Sequence, residues 1–251
     1  MGTNARRGMF LACAAACAAL YGWGVLGLPA FGHYRGPYGD LVNAVTVPER
    51  HITGAVTAEI FDLRAFDTLG EEFILFASVM GVALLLRRQP GEGKAPARDQ
   101  APAREVPRVR DAVRVLSLAL AGPTVLFGTC IVVHGQTTPG GGFQGGVILA
   151  TAPLLVYLAG EYGALRKVAP HWMVEAAEAA GAGGYAVLGP VGYFSGAPYL
   201  TNGLPLGTPG QLVSGGLVPF ISLAVGVEVS AGFLLLLITF LQETLNRKEA
   251  A

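Results

Sequence analysis

The sequence predicts an all-α integral membrane protein with about six transmembrane helices, arranged 2 + 4, and both termini cytoplasmic. Three observations carry this. Of the 251 residues, 52% are hydrophobic and only 14% charged, where a soluble domain carries about a quarter charged. Apolar runs recur at the length that crosses a bilayer, roughly 20 residues. All but three of the 17 basic residues fall on one face of the resulting alternation, as the positive-inside rule demands.

The spans are justified in chain order. Residues 8–28 form the first. Arg6 and Arg7 before it resemble the basic start of a signal peptide, but the apolar stretch is longer than such a core. The second, 73–86, reaches span length when it begins near Leu69. The third covers 112–133, the fourth 144–160, the fifth 172–194 and the sixth 217–241. Carboxylates intrude on the second and fifth. Basic residues precede span one, separate spans two and three, separate spans four and five, and follow span six. Only Arg35, Arg50 and Arg64 lie on the other face.

Between spans two and three, QPGEGKAPARDQAPAREVPR (89–108) is rich in Pro, Ala and charge. Such a composition cannot bury a core and reads as a cytoplasmic linker. It divides the chain into a two-span unit, 1–88, and a four-span unit, 109–251. Loop 29–68 is the only sizeable extracytoplasmic piece. Loop 195–216 has no charge, which suggests a segment dipping into the membrane or covered by a partner, where irregular backbone is tolerated.

Other chemistries are poorly represented. A net charge of zero gives no basic patch for nucleic acid. Cys13, Cys17 and Cys130 lie inside apolar runs and read as small packing residues. None of His33, His51, His134 and His171 sits at ligand spacing to another, so no metal site is expected. There is no nucleophile–base pair and no nucleotide loop. The chain is not expected to be an enzyme in its own right, nor to hold a cofactor.

HGQTTPGGGFQGGVILA (134–150) connects spans three and four on the outer face. Pro139 sets the turn, and Gly140, Gly141, Gly142, Gly145 and Gly146 permit unusual torsions and close backbone approach. Phe143 and Gln144 open span four. The stretch is either a tight helix–helix turn packed against its neighbours, or a row of amides and carbonyls that meets an ion.

These residues resemble the signature of the B-type component of the Mrp-type multisubunit sodium/proton antiporters; membrane-bound hydrogenases carry a similar component. GQLVSGGLVPFISLAVGVEVSAGF (210–233) looks like the second half of the same family, and the resemblance covers about 112–240. FDLRAFDTLGEEFILFASVMGVALLLR (61–87) is similar to the short E-type module that ends the large A-type component of those antiporters. The resemblance therefore implies an E-type module fused to a B-type domain. It also implies an all-helical subunit without a cofactor, working with other membrane subunits, Na⁺ and H⁺ in a bacterial or archaeal cytoplasmic membrane.

Ionisable groups at bilayer depth cost at least about 2.5–3.5 kcal/mol each on insertion scales, so each needs a reason. Glu228 lies near the middle of span six and has no Lys or Arg at its depth. It is neutral, hydrated, or paired with a partner subunit. Glu175 and Glu178 occupy the first turns of span five, at a spacing that puts both on one helix face. Glu175 reaches the headgroups, whereas Glu178 is too deep. Asp67, Glu71 and Glu72 open span two, and Glu161 ends span four; Glu71, Glu72 and Glu161 read as interfacial. His134, at the outer end of span three, titrates near neutral pH or anchors the helix end. Glu228, Glu178, Glu175, Asp67, Glu71, Glu72 and His134 are thus the candidates for a proton or cation path. The competing expectation is a scaffold that seals the helices of an ion-pumping complex whose chemistry lies in other chains, redox chemistry included.

Overall fold

The computed structural model describes residues 3–28, 36–86 and 110–250. Every regular element among them is helical: α1 (Thr3–Leu26), α2 (Pro37–Thr46), α3 (Ala55–Ala58), α4 (Ala65–Leu85), α5 (Asp111–Val133), α6 (Gly142–Val168), α7 (His171–Leu188) and α8 (Val218–Ala250). A π-turn, Glu59–Leu63, leads into α4, and a 3₁₀ helix, Gly189–Ser195, continues α7. The linker expected over 89–108 lies outside the described residues.

Five helices are long and apolar enough to cross a membrane: Arg7–Leu26, Ala65–Leu85, Asp111–Val133, Gly142–Gly160 and Val218–Gln242. The chain is therefore an all-α, multi-pass membrane protein. The fifth expected span corresponds to α7, of 18 residues. It stands apart from the five because Glu175 and Glu178 dilute an already short apolar stretch.

The chain divides into two compact units, Met1–Asp40 and Leu41–Ala251. The first holds α1 and the opening of α2. Side chains along α1, Phe10, Leu20 and Trp23 among them, are exposed, as suits a helix solvated by lipid.

In the second unit α8 is central, packing on α4, α5, α6 and α7. Burial explains its composition: 61% of its span window is buried, against 17–33% for those of α4, α5 and α6. A helix buried all round is apolar all round. Small residues let the neighbours close in. A Cβ on Gly146 would lie 2.8 Å from the Val229 Cβ, one on Gly226 2.8 Å from Val132, and one on Gly128 2.8 Å from Leu149.

Two apolar clusters result. One gathers Ile52, Phe61, Leu69, Tyr185, Val225 and Val229. The other gathers Val79, Leu165, Val174, Ala231, Leu235 and Ile238. Both draw on α4, α7 and α8, and the seam between them holds the site.

Candidate functional site

Each of α4, α7 and α8 places one carboxyl at that seam. Glu72 lies between Leu69 of the first cluster and Val79 of the second. Glu178 lies between Val174 and Tyr185, and Glu228 between Val225 and Leu235. All three are buried, at 3%, 1% and 0% exposure. The Glu228 side chain interacts with both others: it faces Glu72 closely, and Glu178 acts on it electrostatically.

Their hydrogen bonding is incomplete. Both Glu228 carboxyl oxygens, Oε2 of Glu72 and Oε1 of Glu178 lack a partner of ordinary geometry. Buried polar groups are nearly always satisfied, and negative charges buried together in one low-dielectric seam would repel. This tier of carboxyls is chemically complete only with protons, water or a cation among its oxygens.

The helices reach this geometry through glycine. A Cβ on Gly181 of α7 would lie 2.6 Å from the Glu228 Cα, and one on Gly232 of α8 would lie 3.6 Å from Oε1 of Glu178. Any side chain at Gly181 would push α7 off α8 at the level of the carboxyls.

Above the tier, toward the start of α4, sits a hydroxyl pair. The buried Tyr185 hydroxyl donates to the Ala65 carbonyl at 2.8 Å. The Thr68 hydroxyl donates to the Ile60 carbonyl, in the π-turn, at 2.6 Å. The Tyr185 side chain interacts with both Thr68 and Glu72.

The remaining expected residues separate from the tier. Glu72, expected at the interface, is buried, and Glu71 beside it is exposed; neighbours on a helix point about 100° apart. Glu175 and Glu178, expected on one face, divide likewise. Glu175 is exposed and pairs with His171 at 3.3 Å. Three residues of helix leave about 60° between side chains, enough to straddle the edge of the packed face. Asp67 is exposed and pairs with Arg64 at 2.5 Å. His134 ends α5, its Nδ1 2.9 Å from the Cys130 carbonyl. The side chain of Glu161 lies outside those described.

The glycine stretch packs tightly. Gly140 and Gly141 have φ of +136° and +148°, values that L side chains rarely adopt. A Cβ on Gly142 would lie 2.7 Å from the Val225 Cβ, and one on Gly145 2.8 Å from the Val132 nitrogen. Phe143 meets Phe233 edge to face at 6.4 Å, Gln144 is exposed, and Pro139 sits at the exposed turn before α6.

The uncharged loop 195–216 is covered in part by the chain's own residues 50–62. The Arg50 Nε donates to Asp62 at 2.5 Å. The Asn202 amide nitrogen donates to Asp62 at 3.2 Å and to the Gly215 carbonyl at 2.9 Å, and the Asn202 oxygen accepts from the Leu217 nitrogen. His51 Nδ1 lies 2.5 Å from the Gly207 carbonyl. Gln136, from the glycine stretch, donates to the Leu212 carbonyl at 2.5 Å. Three loops thus form one polar cap over the end of α5 and the starts of α6 and α8. Sequence reasoning missed the Asp62–Arg50–Asn202 link. Its one signal was Arg50 itself, one of only three basic residues that the expected alternation leaves on the minority face.

Such an assembly, with buried carboxyls in a bundle of helices long and apolar enough to span a bilayer, defines a multi-pass helical membrane protein. A family model described as "Domain related to MnhB subunit of Na+/H+ antiporter" matches residues 112–235. An uncharacterized protein of Methanocaldococcus jannaschii is 32% identical over 206 residues, 76% of this chain and 78% of that protein. A chain of the membrane-bound sulfane sulfur reductase, an archaeal respiratory membrane complex, superimposes with a TM-score of 0.70 at 30% identity, covering 94% of this chain and 98% of that one. A chain of the Mrp complex from Dietzia sp. DQ12-45-1b shares the fold, with a TM-score of 0.67 at 22% identity over 95% of this chain and 26% of that one. The chain belongs to the MnhB-related family of membrane-complex subunits, and other membrane subunits are its partners.

Proposed function

We propose that this chain is the subunit of a multisubunit cation (Na⁺)/proton antiporter that contributes a carboxyl station to the ion path. One observation supports this above the rest: Glu72, Glu178 and Glu228, from three helices, meet in a buried seam with oxygens left unpartnered. A carboxylate holds either a proton or a cation, so a group of three exchanges one for the other without building a fixed charge into the bilayer. On this reading the chain works as a transporter subunit and not as a catalyst. Residues 1–88 act as the E-type module and 109–251 as the B-type domain, with α7 as the sixth span. Both termini face the cytoplasm of a bacterial or archaeal cell.

The near-complete match to a chain of a respiratory complex favours a second reading. There, the same station serves a redox-driven assembly, and the electron chemistry lies in other chains.

The test is cation-dependent proton flux in everted vesicles bearing the whole complex, with Glu72→Gln, Glu178→Gln and Glu228→Gln compared with wild type. Intact assembly on a native gel with lost flux supports the station. Intact assembly with normal flux leaves the chain as a scaffold. Flux that appears only with a redox substrate selects the second reading.

A further inference from the structure

The carboxyl station needs its three helices held in register, and one buried hydroxyl is placed to do this. Tyr185 is seven residues from Glu178 on α7, and Ala65 is seven residues from Glu72 on α4. Both intervals are two helical turns, about 10 Å at roughly 1.5 Å per residue. The bond from the Tyr185 hydroxyl to the Ala65 carbonyl, 2.8 Å long, therefore ties α7 to α4 at one level, two turns from the level of both carboxyls.

The surroundings make this bond consequential. Tyr185 is fully buried, and its ring packs in the same cluster as Phe61, Leu69, Val225 and Val229. The carbonyl it binds opens α4, immediately after the π-turn Glu59–Leu63. There the backbone closes a longer loop, from the Arg64 nitrogen to the Glu59 carbonyl at 2.8 Å. A π-turn interrupts regular helix and leaves carbonyls to other partners. Thr68 takes one of these, at Ile60, and Tyr185 reinforces the first turn of α4 from the neighbouring helix. Among the described residues, this bond joins α7 to α4 at the mouth of the seam that holds Glu72, Glu178 and Glu228.

Resting on the carboxyl-station reading above, we infer that Tyr185 is a positioning residue. Its hydroxyl sets the register of α7 against α4 and thereby the spacing of Glu72 and Glu178 about Glu228.

The experiment uses the whole complex in everted vesicles, with Na⁺ as the cation, and reads the half-saturating concentration and the pH profile of exchange. Tyr185→Phe keeps the ring and removes only the hydroxyl. The expected result is intact assembly, a roughly three- to tenfold change in half-saturating Na⁺, the scale of one buried hydrogen bond, and a displaced pH profile. Tyr199→Phe is the comparison, because its hydroxyl also bonds α7, at the Ala186 carbonyl, but ties it to the loop that follows Gly189–Ser195 and not to α4. It should leave both readouts at wild-type values. Infrared difference spectra give a readout apart from flux: the carboxyl band that Glu72→Gln removes should shift in Tyr185→Phe and stay in place in Tyr199→Phe. Wild-type half-saturation, pH profile and carboxyl band in Tyr185→Phe, with Glu72→Gln inactive, would overturn the positioning role and leave the station standing. The same displacement in both tyrosine variants would also overturn it. Normal exchange in all three Glu→Gln variants would remove the station, and the positioning role with it.

Discussion

Gly181 of α7 lies flush against Glu228 of α8: a Cβ there would come within 2.6 Å of both the Cα and the Cβ of Glu228. The glycine is the contact that lets a central carboxyl sit between two helices rather than beside them. Gly181→Ala forces the helices apart and should cost about 1–3 kcal/mol, the usual scale of overpacking. Gly183→Ala is the control, since its neighbourhood is open. Thermal melting of the detergent-solubilised complex should show a lowered Tm for the first and no loss for the second.

The division of adjacent acids makes a second prediction. Glu178→Gln and Glu72→Gln should abolish cation-linked proton flux, while Glu175→Gln and Glu71→Gln retain most of it. Each pair sits in one stretch of sequence, and burial alone separates its members. Equal losses within a pair would show that the buried seam is not what matters. Flux per assembled complex is the quantity to compare.

A third prediction concerns the glycine stretch. Gly140 and Gly141 adopt positive φ, and a Cβ on Gly142 would overlap the backbone at Ser222 and Gly226. Strain of this kind costs about 1–3 kcal/mol per residue, and an overlap with backbone cannot be relieved by a rotamer change. Gly140→Ala and Gly142→Ala should therefore reduce the amount of assembled complex, with Gly142→Ala the more severe. Gly163→Ala, in open space on the same helix as Gly142, should not. Quantitative immunoblotting of membranes distinguishes them.

The cap supplies a fourth. The Asp62 side chain is 1% exposed and that of Arg50 32%. Removing Arg50 leaves a buried carboxylate with Asn202 as its main donor, and breaking such a pair costs more than replacing both partners. Because Arg50 is partly solvated, the loss for Arg50→Ala should be about 1–3 kcal/mol, less than for a fully buried pair. The double variant Arg50→Gln with Asp62→Asn should be milder than Arg50→Ala. Limited proteolysis within 195–216 provides the readout, and equal cleavage in all variants would mean that the link does not hold the cap.

Much of the fold was legible in the residues. Apolar runs of span length and the distribution of Lys and Arg mark helices because lipid offers backbone groups no hydrogen bonds and charges no solvation. The same argument singled out Glu228 and Glu178, whose depth follows from counting residues along a helix. It failed at Glu72, which counting placed near the surface. α4 begins earlier than its apolar run suggests, at Ala65, so Glu72 lies about two turns inside the helix and is buried.

What the sequence determined by itself was therefore one-dimensional: which stretches are helical and apolar, and how far along each helix a carboxyl lies. Tertiary structure decided the rest. It chose Glu72 over Glu71 and Glu178 over Glu175, brought three carboxyls onto one seam, and joined residues 50–62, 134–141 and 195–217 into a cap. The physical reason is that hydrophobicity and depth are properties of single segments. Burial on one side of a helix, and the pairing of Asp62 with Arg50 and Asn202, depend on which neighbour that side meets. That is settled only when glycines such as Gly181, Gly142 and Gly146 allow particular helices to touch.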